Sequence, residues 1–517
     1  MQREVLDFWR HAERHPDDIA LVDEAGLEWP AHRLFAETNR ISNGLQALAI
    51  GKGSVVATLM PKCGRLVALS LATSQIGALL MTLNPGMSLS EVEYLLADSD
   101  ASILVLDPTC AREDLQERLD RLALPKIAVG ERTGWQPYEE AFGNCAVDPP
   151  SARACGALLA YTSGTTGRPK GVLRQWSHRP PELIYFGMID WFMTMFSVRP
   201  RDGVHLCTCP LHYAAPMFFS SYALHMGHKL VLMPTWHPRL ALQLIEKHRV
   251  TTAFMVPFQF LSLLKLPEQT RESFSTSSLR AVIHGSAPCP VQAKAGMLRW
   301  WGDILFESYG ATEVGATVAS PDDSRKFPGT VGRATLPHEV KILDERGREL
   351  PAGQAGAIYM RVTEASDFVY KGDPEKTKNS RHGDFATVGD IGYLNDEGYL
   401  FLLDRRTDMI ACRGEHIYPA ELEGVLATHP LVADCAAFGI PHPEWGEEVR
   451  MAIQLAPDVA RSAEVDAQIL DFLRARLGST KCPRGLDYLP ALPRDAGGKL
   501  RRRELRTPYW TEAGRHI

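Results

Sequence analysis

The chain has 517 residues, 45% of them hydrophobic and 23% charged, which supplies a large core and excludes wholesale disorder. Lys plus Arg (56) against Asp plus Glu (62) leaves a net charge of −6, which excludes a protein coated in nucleic acid. The ten cysteines are scattered without a CxxC pair, so zinc ribbons and thioredoxin-type motifs are excluded and a reducing, cytoplasmic setting is expected.

The chain starts Met-Gln-Arg-Glu-Val-Leu-Asp, without the apolar stretch of a signal peptide. Residues 40–107 alternate helix and strand patterns, with Ser54-Val-Val-Ala-Thr-Leu and Ala101-Ser-Ile-Leu-Val-Leu predicted as strands of α/β layers. The most hydrophobic run, residues 66–83, contains Ser70, Thr73, Ser74 and Gln75 and predicts a buried helix rather than a membrane span. Gly156 breaks the chain before Leu158-Leu-Ala-Tyr-Thr, a buried-strand pattern that feeds a Gly-rich loop. The residues Ile184 to Phe196, rich in aromatics and Met, predict a core helix, with a pocket wall as the other reading. Leu230-Val-Leu-Met predicts a strand, and the segment from Leu240 to Lys247 a helix. After Gly329 turn signals multiply (Asp344-Glu-Arg-Gly, Pro351-Ala-Gly, Asn395-Asp-Glu-Gly), which predicts antiparallel strands. Helix–strand alternation resumes beyond Asp404, so the expected division is a large domain, 1–404, and a small α+β domain, 405–517.

Chemistry concentrates in Tyr161-Thr-Ser-Gly-Thr-Thr-Gly-Arg-Pro-Lys170-Gly. Its glycines permit tight turns, its hydroxyls and N–H groups can wrap a polyanion, and Lys170 adds a point charge. Pro169 stands where a Walker loop needs Gly-Lys, so this is not one. Further strings follow in order: Pro210-Leu-His-Tyr-Ala-Ala-Pro, His284-Gly-Ser-Ala-Pro-Cys-Pro, Glu307-Ser-Tyr-Gly-Ala-Thr-Glu313, Gly329-Thr-Val-Gly-Arg, Val388-Gly-Asp390-Ile-Gly-Tyr, Asp404-Arg405, Gly414-Glu-His-Ile-Tyr-Pro and Leu492-Pro-Arg-Asp-Ala-Gly-Gly-Lys499.

With these strings the chain resembles, over nearly its whole length, the adenylate-forming superfamily of acyl-CoA synthetases, luciferases and peptide-synthetase adenylation domains. The resemblance implies an adenylating α/β fold with a β-rich subdomain and a mobile C-terminal domain. It implies ATP, Mg²⁺ and coenzyme A as reactants and cofactors, with a small carboxylic acid as substrate. No nucleic acid or membrane span is expected, and a homodimer is left open.

By the same resemblance, Thr162, Ser163, Gly164, Thr165, Thr166 and Lys170 would hold the β- and γ-phosphates. Thr312 would meet the α-phosphate and Glu313 the Mg²⁺. Tyr309 and Gly310 would lie on one side of adenine and Ser286, Ala287 and Pro288 on the other. Asp390, assisted by Arg405, would accept from the ribose hydroxyls, and Lys499 would bridge carboxylate and α-phosphate. Thr407 takes the hinge position, where Asp or Lys is usual. Arg413 and Gly414 would lie on the coenzyme A path, with Arg413 either obstructing it or pairing with a phosphate. Arginines of the run Lys499-Leu-Arg-Arg-Arg-Glu-Leu-Arg506 are further candidates for coenzyme A phosphates.

His212, Tyr213, Met217, Phe218, Phe258, His284 and Gly285 would line the acyl pocket, which therefore suits an apolar acid: fatty, aromatic or polycyclic. No Asp in Phe254-Met-Val-Pro-Phe-Gln-Phe260 serves an α-ammonium. The His284 string and Trp300-Trp-Gly most resemble bacterial fatty-acid and bile-acid ligases. The alternatives are an acyl-AMP ligase that stops at the adenylate or loads a carrier protein, a luciferase-like oxygenase, and a non-catalytic nucleotide sensor.

Overall fold

The computed structural model describes residues 7–162, 169–174, 179–335, 337–363, 367–412, 415–495 and 497–512. Two compact units emerge: Met1–Met255 with Leu266–Ile283 and Thr363–Asn379, and Val256–Lys265 with His284–Val362 and Ser380–Ile517.

In the first unit, an all-parallel sheet runs Gln136–Pro137, Lys126–Ala128, Ala101–Leu106, Val55–Leu59, Leu79–Thr82, Ala157–Leu158. Val55–Leu59 is buried throughout, as expected of a parallel strand covered on both faces. A second set pairs Thr252–Met255, Val204–Cys207, Lys229–Leu232 and Ile19–Val22 in parallel, with Glu28–Pro30 antiparallel at its edge. The expected strands at 54–59, 101–106 and 230–233 and the helix at 240–247, observed as Pro238–His248, are all present.

The run 66–83 is not one helix. It divides into Gly64–Gln75 and the strand Leu79–Thr82, because Gly77 turns the backbone at φ +77°. The side-chain donors of the polar residues that argued against a membrane span find acceptors inside the fold, while Gln75 Oε1 is buried without a partner. Thr73 and Ser74 donate to carbonyls of their own helix, and the Gln75 amide donates to Asn39 Oδ1 (3.0 Å) and Ser42 Oγ (2.7 Å). The strand expected at 158–162 is also divided. Ala157–Leu158 joins the parallel sheet, whereas Ala160–Thr162 pairs antiparallel with Lys170–Arg174. At Gly156 a Cβ would lie 2.3 Å from the carbonyl oxygens of both Thr73 and Ala78, so only glycine fits there. The helix Pro181–Phe196 buries Ile189, Phe192 and Phe196 completely, as a core helix does.

Between Val340 and Arg405 the second unit is antiparallel, as the turn signals predict. Gly356–Arg361 pairs with Val340–Leu343, Phe385–Ala386 and Asp390–Leu394, and the last pairs with Leu400–Arg405. Beyond it, Val432–His442 pairs with Gly446–Leu455, and both of its faces are buried. Cys435 and Ala437 face Leu422, Leu426, Ile469 and Leu473 of the helices Pro419–Leu426 and Ala463–Lys481. Ala436, Phe438 and Ile440 face the other way, onto Leu492, Leu505 and Tyr509. The expected boundary at 404/405 falls within this unit. No helix of the described residues is long and apolar enough to cross a membrane.

Candidate functional site

In the first unit the Gly-rich loop is flanked by an antiparallel pair in which Lys170 stands opposite Thr162. Lys170 Nζ lies 3.4 Å from Asp373 Oδ2. A hydroxyl network ties this pair to the helix Leu89–Asp98, whose start is fixed by a capping box between Ser88 and Glu91. Tyr161 donates to Asp98 Oδ2 at 2.8 Å, and the Tyr94 hydroxyl lies 3.0 Å from the Pro169 carbonyl. Ser163, Gly164, Thr165 and Thr166 lie outside the described residues.

The acyl-pocket candidates of this unit sit together. The rings of His212 and Tyr213 are 4.3 Å apart, and Tyr213 leads into the helix Ala214–His225, which carries buried Met217 and half-buried Phe218. Phe219 on the same helix stacks on Phe254 at 4.7 Å.

In the second unit, Asp390 is the hub. It pairs in register with Arg405, whose Nε lies 3.5 Å from Oδ1, and it accepts a 2.7 Å hydrogen bond from the Tyr309 hydroxyl. Burial, and next the Asp390 charge, push the Tyr309 phenol well above its usual range, so it stays a donor. Lys499 feels Arg405, Asp495, Asp408 and Asp390. Desolvation by surrounding atoms and then the Arg405 guanidinium lower its ammonium pKa, although the side chain reaches water and the desolvation is therefore partial. Tyr309, Asp390 and Arg405 are thus joined by direct contacts, and Lys499 lies within electrostatic reach of Asp390 and Arg405. Glu313 is buried and Thr312 half-buried, directly beyond the strand Leu305–Gly310.

The segment expected under adenine adopts a strained turn. Ser286 has φ +67°, unusual for a residue with a Cβ, and a Cβ on Gly285 would sit 2.3 Å from the Ser308 carbonyl oxygen. Ala287 and Pro288 continue this turn ahead of the helix Val291–Trp301. His284 is enclosed at 1% exposure, its ring 4.9 Å from Phe260 and its Nδ1 4.0 Å from Glu307 Oε1. Burial, then Lys294, hold it neutral, far below the ordinary histidine range. Phe258 is exposed, with its Cβ 3.3 Å from where a Cβ on Gly498 would be, so it flanks the Lys499 loop.

Several residues escaped the sequence reading. Lys294 and Glu307 form a buried ion pair behind the Ser286 turn, and Lys294 also donates to the Thr330 carbonyl at 3.0 Å. Glu307 lay inside a quoted string, but its partner sits on a helix with nothing in the local pattern to mark it. Two of the arginines considered for coenzyme A are committed elsewhere. Arg502 donates to Asp408 (2.9 Å), Glu423 (2.6 Å) and the Ala437 carbonyl (3.0 Å), and Arg506 donates to the Thr407 carbonyl (2.9 Å). Both guanidiniums are spent on holding the segment around Thr407. Arg413 and Gly414 lie outside the described residues.

Next to that segment, Asp404 accepts from the Ala420 N–H at 3.0 Å, and burial, opposed first by Arg502, raises its carboxyl to about 6. The unfolded value is about 3.9, so the stability carried by the neutral acid is complete below pH ~4 and is lost as pH rises through ~6. Asp404→Asn should therefore change stability more favourably at pH 7 than at pH 4. Urea midpoints at the two pH values check this, and an equal offset at both would refute it.

Comparison with known proteins identifies the family. The profile of the family described as AMP-binding enzyme matches residues 8–366, and that of the AMP-binding enzyme C-terminal domain matches residues 421–499. A fatty acid–[acyl-carrier-protein] ligase of Streptomyces coeruleorubidus is 28% identical over 516 residues, covering 98% of this chain and 96% of the relative. A long-chain-fatty-acid–CoA ligase of Mycobacterium tuberculosis is 31% identical over 490 residues, 92% of each chain. The o-succinylbenzoate CoA synthetase of Bacillus subtilis, solved with its acyl-adenylate intermediate, superposes with a TM-score of 0.81 at 26% identity, covering 97% of this chain and 98% of that one. The chain belongs to the AMP-binding enzyme family and is an AMP-forming ligase of the adenylate-forming superfamily.

Proposed function

We propose that this enzyme activates an apolar carboxylic acid with ATP, giving acyl-AMP and pyrophosphate, and then transfers the acyl group to coenzyme A. The observation that carries the reading is the Tyr309–Asp390–Arg405 cluster of the second unit, which lies within electrostatic reach of Lys499. In this reading Asp390 accepts from the ribose hydroxyls while Tyr309 covers the adenine face. Ser286, Ala287 and Pro288 lie on the other face, and Gly310 keeps the approach clear of a side chain. Thr312 donates to the α-phosphate. Lys170 and the hydroxyls of residues 162–166 hold the outgoing phosphates, for which Lys170 exchanges its Asp373 partner.

Mg²⁺ fits the donors present. Among the described residues no three His, Cys, Asp or Glu side chains form a dedicated metal cluster, and Mg²⁺ usually takes one or two carboxylates together with substrate phosphates. Glu313 is the carboxylate we assign to it. When bound, the ion would neutralise phosphate charge.

Lys499 bridges the acid and the α-phosphate, then leaves with a mobile domain beginning at 405 that turns about Thr407. Arg413 and Gly414 belong to the coenzyme A path. In the first unit we assign Tyr213, Met217 and the Phe219–Phe254 stack, with His212, to the apolar wall for the acid; His284, Gly285 and Phe258 of the second unit are the further candidates. All ten cysteines are free thiols, which supports a cytoplasmic, reducing location.

The test is a pyrophosphate-release screen over fatty, aryl and polycyclic acids, followed by detection of the thioester. Release that depends on acid and ATP, with thioester made on adding coenzyme A, is the expected result. Release without thioester selects the acyl-AMP ligase, a reading favoured by the likeness to the carrier-protein ligase. No release with any acid removes the assignment.

A further inference from the structure

Given the adenylating role proposed above for Lys499, the residues before it set how its side chain is aimed. The segment before it folds back on itself. Asp495 Oδ1 accepts from the N–H groups of Gly497 (3.0 Å) and Lys499 (2.9 Å), the Asp495 N–H donates to the Lys499 carbonyl (2.9 Å), and Gly498 N–H donates to the Asp495 carbonyl (2.9 Å). Gly498 has φ +79°, which a side chain would strain.

A tight turn alone does not fix where its tip points relative to the sheet that carries it. Arg494 supplies that link. Its Nε and Nη2 grip Asp434 Oδ2 (2.6 Å) and Oδ1 (2.7 Å), and its Nη1 donates to the Gly498 carbonyl at 2.8 Å. Asp434 lies in the strand Val432–His442, beside Cys435 and Ala436, which are buried in the two cores on either side. The Gly498–Lys499 peptide is thus held at both ends, its oxygen by Arg494 and its N–H by Asp495. A guanidinium can do this because its donors form a rigid planar fork, whereas an ammonium presents a single point.

We propose that Arg494 is the positioning residue for Lys499: the Asp434–Arg494 fork transmits the fixed frame of the sheet to the peptide that bears the catalytic ammonium. The fork touches no substrate. Its effect is confined to the step that uses Lys499.

Arg494→Lys keeps the charge and removes the fork, and Asp434→Asn keeps the shape and removes the charged acceptor. Misplacing a reacting group by about 1 Å can cost ~10²-fold in rate, so acyl-AMP formation should fall between about tenfold and a hundredfold in Arg494→Lys. Asp434→Asn should show a smaller loss in the same half-reaction, and the double variant should lose less than the product of the two, because both act through one contact. The KM for ATP and thioester formation from supplied acyl-AMP should stay near wild type. Equal loss in both half-reactions together with a lowered melting temperature would make the fork merely structural and overturn the proposal. So would unchanged adenylation in both variants. If Lys499→Ala itself leaves pyrophosphate release unchanged, the role of Lys499 has failed, which is a different outcome from failure of the fork. Should Arg494→Lys not fold, the half-reaction split in Asp434→Asn decides alone.

Discussion

Lys499→Ala should slow acyl-AMP formation by about 10²–10³, while the use of supplied acyl-AMP changes little. Removing one donor aimed at developing transition-state charge costs roughly 3–4 kcal/mol, which sets that scale. In adenylation, negative charge spreads over the attacking carboxylate and the α-phosphate, and a cation between them lowers the barrier without covalent chemistry. Lys499 is suited to this. Its ammonium lies in the field of Arg405 and Asp390, and its backbone is pinned by Asp495, so the charge is delivered from a defined anchor point. A flexible stem on that anchor lets the ammonium reach the reacting centre and withdraw from it. In the thioester step the acyl phosphate anhydride is already formed and AMP departs, so the same charge has no carboxylate left to activate. Single-turnover measurement of each half-reaction distinguishes the cases. Equal loss in both would remove Lys499 from its assigned role.

The distance between strings and structure differs from one part of the molecule to the next. Short apolar runs bounded by turn residues, such as those at 54–59 and 101–106, announced their strands because a fully buried parallel strand must be apolar along its whole length. The run 66–83 misled because a buried helix and a buried strand are both apolar, and Gly77, which separates them, has the weight of one residue in the pattern. Asp390 and Tyr309 were legible as members of strings, yet the hydrogen bond between them was not, since it joins two strands of different hairpins. The Lys294–Glu307 and Arg494–Asp434 pairs were silent for the same reason, although Glu307 and Arg494 stood inside the strings. A charged residue whose partner lies far along the chain has no local signature, and in sequence it reads as another solvated side chain. The basic run 499–506 shows the converse. Its charge density reads as a solvated face, with coenzyme A phosphates as a further candidate, but long-range partners hold Arg502 and Arg506 inside the fold.

Asp390→Ala should raise the KM for ATP and weaken binding of AMP by at least tenfold. Hydrogen bonds to a charged acceptor are each worth roughly 1.5–3 kcal/mol, and two ribose hydroxyls would lose theirs at once. The Tyr309 contact adds a complication that a second variant resolves. With Asp390 gone, the half-buried Tyr309 hydroxyl loses its 2.7 Å acceptor, and the penalty for an unsatisfied buried donor, roughly 1–3 kcal/mol, is an upper bound on that loss. That second cost falls on the folded enzyme whether or not nucleotide is bound, so it appears in the melting temperature rather than in the nucleotide affinity. Tyr309→Phe separates the two. It deletes the hydroxyl but leaves the carboxylate beside Arg405, so the ribose would keep its acceptor and the affinity for AMP should change several-fold less than in Asp390→Ala. Calorimetric titration with AMP reads binding without turnover, which matters because KM equals a dissociation constant only when chemistry is slow. If Tyr309→Phe weakens AMP binding as much as Asp390→Ala does, then Asp390 acts by holding the tyrosine in place, and the ribose is recognised by another group. If Asp390→Ala leaves both KM and AMP affinity unchanged, the nucleotide does not lie against this hub at all.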